Sequence, residues 1–154
     1  MTGWLLDTNI LSELRKPKPL PALVAWLAKE PLERLHISIV NLAEIRFGIE
    51  LAPEAAQRVE LTEWLDQSLR PMFEHRLLPI SEDIMLRWRL LVEQGRKTGN
   101  TFSQPDLIIA ATALHHGMVL VTRDASDYAR TGVRIFNPWT DATPPSLAKL
   151  TRIR

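Results

Sequence analysis

The chain has 154 residues, 45% of them apolar, and its 19 basic and 18 acidic side chains leave a formal charge of +1. That length and apolar share suit one compact domain with a real core, and no run approaches the roughly 18 unbroken apolar residues of a membrane helix. The near-zero charge excludes a general pull on polyanions, so nucleic acid would need local basic groups or bound cations, while zero cysteines exclude disulfides and thiolate metal sites and suit a reducing cytoplasm.

The first expected strand is the apolar run Trp4-Leu5-Leu6, which Asp7 and Glu13 interrupt too soon for a secretory leader. A helix is expected over Thr8–Arg15, stopped by Pro17, Pro19 and Pro21. Leu23, Val24, Trp26 and Leu27 return at helical spacing until Pro31. Leu35–Ile39 alternates as a second strand, and Val40–Leu51 reads as a helix that Pro53 closes. Ala55–Leu69 is expected to be helical, with Val59, Leu61, Trp64, Leu65 and Leu69 as its buried stripe and Pro71 as its bound. Trp64, Leu65 and Leu69 alternatively line a partner groove or homodimer face.

Arg76–Ile80 is a short strand candidate. Ser81 caps a helix running to about Lys97, with Gly99 beyond its end. A further helix starts near Ser103-Gln104-Pro105-Asp106 and ends at Gly117. Met118–Thr122 and Val133–Phe136 complete the strands, and the chain turns polar after Pro138. Alternating strands and helices predict a single three-layer α/β/α domain over residues 1–140, with a mainly parallel sheet and a tail over 141–154. In such sheets ligands collect beyond the carboxyl ends of the strands.

Four acids occupy positions that this rule singles out. Asp7 ends the first strand and Asp124 follows the strand before it by one residue, Arg123. Glu44 shares a helical face with Val40, Phe47 and Leu51, where a lone buried carboxylate is costly unless a cation or strong donor meets it. Asp106 lies in a first helical turn, beside a face of small alanines. Each has a simpler reading: Asp7 and Asp124 as helix caps, Asp127 as half of a capping box, Asp106 as the acid of Ser103-x-x-Asp106, and Glu44 as a surface residue. If the strands are parallel, all four converge, and their mutual repulsion is relieved by hard divalent cations such as Mg²⁺ or Mn²⁺. His115-His116 before Gly117 is read as a helix-terminus pair rather than as ligands.

Four strings carry a resemblance: Leu5-Leu6-Asp7-Thr8-Asn9-Ile10-Leu11-Ser12, Ser38-x5-Glu44, Asp106-Leu-Ile-Ile-Ala-Ala-Thr-Ala113, and Leu120-Val-Thr-Arg-Asp124-x2-Asp127-Tyr128. In this order, across residues 4–138, the chain resembles the PIN-domain family, and more narrowly its VapC-type toxins. The resemblance implies a Mg²⁺- or Mn²⁺-dependent endoribonuclease with metal at Asp7, Glu44, Asp106 and Asp124. Asp127 matches a further acidic position and Thr122 a hydroxyl beside the site, with Thr8 and Asn9 supporting Asp7. It also implies a cognate antitoxin and a homodimer.

Substrate phosphates need donors, and Arg46 and Arg123 are the best-placed basic residues; Arg87, Arg89, Arg96 and Lys97 form a second group on the 82–98 helix. A catalytically inactive scaffold binding RNA or protein is the main rival. A phosphohydrolase with an aspartyl nucleophile would want an acid where Asn9 stands, and a receiver domain would want a late strand-end lysine where this chain offers Arg123.

Overall fold

A computed structural model describes residues 3–99 and 104–147 of the chain. Strands Trp4–Leu6 (β1), Leu35–Ser38 (β2), Leu77–Leu78 (β3), Val119–Val121 (β4) and Ile135–Phe136 (β5) form one sheet in the order β3-β2-β1-β4-β5. Every pairing is parallel, with Trp4 opposite both Leu35 and Val119. The period of two along each strand sorts its side chains between two cores. Trp4, Leu6, Val119 and Val121 enter one cluster, whereas Leu5 and Leu120 enter the other.

Helices Thr8–Arg15 (α1), Pro21–Lys29 (α2) and Ile39–Leu51 (α3) supply Ile10, Leu23, Trp26, Leu42, Ile45 and Ile49 to the first core. There the Trp4, Trp26 and Phe136 rings meet at centroid separations of 5.1–6.0 Å. Helices Glu82–Lys97 (α6) and Gln104–His116 (α7) cover the other face with Ile84, Leu91, Leu107 and Ile109. Ala110, Ala111 and Ala113 are fully buried and keep α7 close to its neighbours. This is the expected three-layer arrangement.

Several helix ends fall where the sequence places them. The Ser81 hydroxyl accepts from the Ile84 N–H, and Gly99 and Gly117 adopt φ of 76° and 65°, the left-handed region favoured by glycine. Other expectations need correction. Ile39 starts α3 rather than ending β2, because Ser38 turns the backbone by capping that helix. The expected strands over 76–80 and 133–136 shorten to two residues each.

Val59 is 58% exposed, so the buried stripe of Ala55–Trp64 (α4) does not include it; Leu65 and Leu69 are buried and Trp64 packs partly against them. Pro71 does not end this helix. A π-helical turn at Leu65–Leu69 leads into Arg70–Met72 (α5), and the widened turn accommodates a residue with no N–H to donate.

Residues 141–147, expected to begin a tail, are anchored to the body. Leu147 is buried in the first core, and the Ser146 carbonyl accepts from Arg134 at 3.1 Å. The expected cap at Ser103 and the rest of the tail, 148–154, lie outside the described residues.

Candidate active site

The carboxyl ends of β1 and β4 sit side by side, and the chain leaves each through polar residues. Asp7 directly follows β1 and caps α1 with backbone angles of −75° and 161°. Its Oδ1 accepts from the Thr8 N–H at 2.8 Å. Its Oδ2 accepts from the Thr122 hydroxyl at 2.8 Å, the Tyr128 hydroxyl at 3.1 Å and the Asn9 amide at 3.3 Å. Asp7 is only 5% exposed. Burial pushes its carboxyl above the ordinary range and outweighs the bonds from Thr122, Thr8 and Tyr128, with the nearby Asp106 charge adding to the rise.

The capping role weighed for Asp7 is therefore real, but it engages only one of the two oxygens. Asn9 links Asp7 to the next strand. Its amide nitrogen lies 3.1 Å from the Thr122 hydroxyl and 3.2 Å from Asp124 Oδ2, while its carbonyl accepts from the Arg123 N–H at 3.1 Å. Thr122, fully buried, also accepts from the Asp124 N–H.

Asp106 lies in the first turn of α7 and accepts from the Tyr128 hydroxyl at 3.1 Å. Burial, and then the charges of Asp7 and Asp106, hold the Tyr128 proton far above the usual tyrosine range, so this phenol stays a donor. Glu44 is half-buried on α3. Of the face assigned to it only Val40 is buried: Phe47 and Leu51 are 60% and 66% exposed, and the rest of the buried side of α3 runs through Asn41, Leu42, Ile45 and Ile49. Glu44 instead borders the same cleft as Asp7, Asp106 and Asp124, a space of about 370 Å³.

Two expected residues fall outside this cleft. Asp127 is exposed on the short helix Ala125–Tyr128 (α8) and does not line it, although its N–H bonds the Asp124 carbonyl. Arg46 lines a separate groove with Glu50, Asp66 and Arg70, because two residues beyond Glu44 turn it to another side of α3. Arg123 does line the cleft, with its guanidinium 5.4 Å from the Trp139 ring centre.

The structure also adds residues that the sequence reading passed over. Lys16 lines the cleft and pairs with Glu13 at 2.9 Å, a contact foreshadowed only by their i,i+3 spacing. Trp139 closes one side, held by an Asn137 carbonyl that accepts its N–H while the Asn137 amide donates to the Arg123 carbonyl. Tyr128 stood in the quoted string but carries no charge that would have marked it. Asn41 donates to the Thr8 hydroxyl at 3.0 Å and so joins α3 to α1.

The donors around the cleft are carboxylates, hydroxyls and an amide, with no histidine among the lining residues. That chemistry fits a hard divalent cation, and the raised Asp7 carboxyl reflects the burial and like charge that such a cation would offset. Among the described residues no three ligand groups already encircle one point.

The sequence pattern of the family described as "PIN domain" matches residues 4–133. The chain is 36% identical over 138 residues to "VapC ribonuclease Y4jK" of Sinorhizobium fredii, covering 90% of this chain and 99% of that protein. Among solved structures, FitAcB from Neisseria gonorrhoeae superposes with a TM-score of 0.81 at 35% identity, over 89% of this chain and 99% of that one. VapBC-5 from Mycobacterium tuberculosis, described as a member of the VapBC family of toxin-antitoxin systems, gives 0.62 at 26% identity, over 88% and 98% of the two chains.

Proposed function

The chain belongs to the PIN-domain family, and from that premise we propose a Mg²⁺- or Mn²⁺-dependent endoribonuclease, the toxin of a toxin–antitoxin pair, whose cation is held by Asp7, Asp106, Asp124 and Glu44. One observation carries the reading: four acids separated by up to 117 positions border a single cleft at the carboxyl end of the sheet. A scaffold that only binds RNA or protein has no use for that arrangement, since gathering like charges costs stability.

When bound, the divalent ion supplies an acidified water and positive charge for phosphodiester hydrolysis. Asp7, Asp106 and Asp124 are its proposed holders, with Thr8, Asn9 and Thr122 fixing the first and third by the bonds already described. Glu44 lines the cleft from a different helix, and its proposed role is to take a proton from the attacking water. Asp127, exposed and away from the cleft lining, is given no part in holding the ion.

Phosphate oxygens need cations, and among the described residues the two that line the cleft are Lys16 and Arg123. They replace the earlier pairing of Arg46 with Arg123. Trp139, beside that arginine at the cleft, is the aromatic side chain on which a base next to the scissile phosphate would stack. Local cations thus answer the objection raised by the net charge of +1.

A cognate antitoxin is the protein partner, in keeping with the toxin-antitoxin description of the VapBC-5 structure. We read the working toxin as a cytoplasmic homodimer, a proposal helped by the exposed Leu86 and Leu90 on α6 and checked by sedimentation. No helix among the described residues is long and apolar enough to cross a membrane.

The test of the catalytic assignment is Asp7→Asn. It should abolish metal-dependent RNA cleavage while leaving the circular dichroism spectrum of the folded chain intact. Unchanged cleavage by this variant rejects the assignment.

A further inference from the structure

The hydroxyl of Tyr128 lies 3.1 Å from Asp7 Oδ2 and 3.1 Å from Asp106 Oδ1. A phenol carries one hydrogen, so it cannot donate fully to both carboxylates at once. It holds one by a hydrogen bond and keeps the other within reach of the same proton. Asp7 comes from the end of β1 and Asp106 from the first turn of α7, so the phenol bridges two separate elements. Tyr128 itself is 1% exposed, and its ring is packed in the second core with Leu107, Ile109 and Leu120. The ring therefore fixes where the hydroxyl stands, and the hydroxyl fixes the spacing of the two acids.

We propose that Tyr128 is the positioning residue of the metal site, its hydroxyl setting the separation of Asp7 and Asp106 at which both engage a divalent cation. It acts through those two carboxylates and does not touch the ion. The inference rests on the metal-dependent reading given above. A ring without the hydroxyl fills the same space, so packing alone does not call for a tyrosine here.

The experiment is a Mn²⁺ titration by calorimetry, without RNA, on the whole chain and on Tyr128→Phe, Asp106→Asn and the double variant. Loss of an outer partner of a metal ligand typically costs 10–100-fold in affinity. Tyr128→Phe should therefore weaken Mn²⁺ binding by about that factor while keeping the native circular dichroism spectrum. In the Asp106→Asn background the same change should cost much less, because one of the two groups it spaces is no longer a carboxylate.

Mn²⁺ affinity within twofold of the parent, or tighter, overturns the proposal, and so does an equal loss in both backgrounds. A Tyr128→Phe chain without native structure also overturns it, since the hydroxyl would then serve the fold. Failure of the parent chain to bind Mn²⁺ instead rejects the metal-dependent reading itself, and this inference with it.

Discussion

Asp7 shows how one side chain can serve two states of the protein. It is buried, receives donors on both oxygens, and still has its carboxyl raised, because burial outweighs the bonds. A carboxyl raised in the folded state lets the folded chain hold more protons than the unfolded one between the ordinary value of 3.8 and the raised value. The contribution of Asp7 to metal-free stability is thus fully present below the ordinary value and is lost as pH climbs through that window. Asp7→Asn carries no such charge. In the presence of a chelator, the melting temperature of the variant should therefore gain on that of the parent as pH rises from about 4 to 7. Added Mn²⁺ should restore the parent selectively, because the ion replaces the proton. A difference between the two proteins that stays flat with pH would show that Asp7 is ionised in the fold without strain. At this scale the sequence revealed the acids well, since each stands at a strand end or early in a helix. It did not reveal Tyr128 or Lys16, whose importance comes from contacts that only the folded chain creates: the phenol with two distant acids, and the lysine with the rim of their cleft.

Elements decide whether those side chains meet. The start of α3 is fixed by a reciprocal cap in which the Ser38 hydroxyl accepts from Val40 and the Asn41 carbonyl accepts from the Ser38 N–H at 2.8 Å. The amide end of the same Asn41 reaches Thr8 at the start of α1. One fully buried residue therefore ties the helix that carries Glu44 to the turn that carries Asp7. Asn41→Ala leaves a buried N–H unpaired and should cost about 1–3 kcal/mol in urea unfolding, with weaker Mn²⁺ binding because α1 and α3 lose their link. Full stability in that variant would mean that α3 is held by its apolar side alone. Helix boundaries were legible where a capping serine or a C-terminal glycine acts locally, and less so at Pro71, which the π-helical turn carries through. Faces were less legible. The 40–44–47–51 spacing suggested an apolar stripe, yet beyond Val40 helix α3 buries 41, 42, 45 and 49 and turns Phe47 outward, a choice made by which side meets the sheet. The same uncertainty of angle placed Arg46 in the wrong groove.

At the scale of the whole molecule, the question is how a chain with a charge of +1 engages a polyanion. A broadly basic protein neutralises many phosphates, and its affinity falls steeply with salt. Here the cleft is acidic at its centre and offers Lys16 and Arg123 at its edge, and Lys16 is already paired with Glu13. Glu13 is buried, so a phosphate that draws Lys16 away must offset the cost of leaving that carboxylate unpaired. Each phosphate neutralised on single-stranded RNA contributes a slope of roughly −0.7 to the dependence of log affinity on log salt concentration. Two contacts then give a slope of about −1.4, and Lys16→Ala or Arg123→Ala should each bring it close to about −0.7. The measurement is fluorescence anisotropy of a labelled single strand across a salt series, made with the Asp7→Asn chain so that the RNA stays intact. A parent slope steeper than about −3 would mean that a second surface binds the strand. The exposed Arg87, Arg89 and Lys97 of α6 would be the first place to look, because Arg96 in the same group is paired with Glu93 at 2.7 Å. A shallow slope that shrinks with either substitution would instead place the attraction at the mouth of the acid cleft, where Lys16 and Arg123 do what the net charge does not.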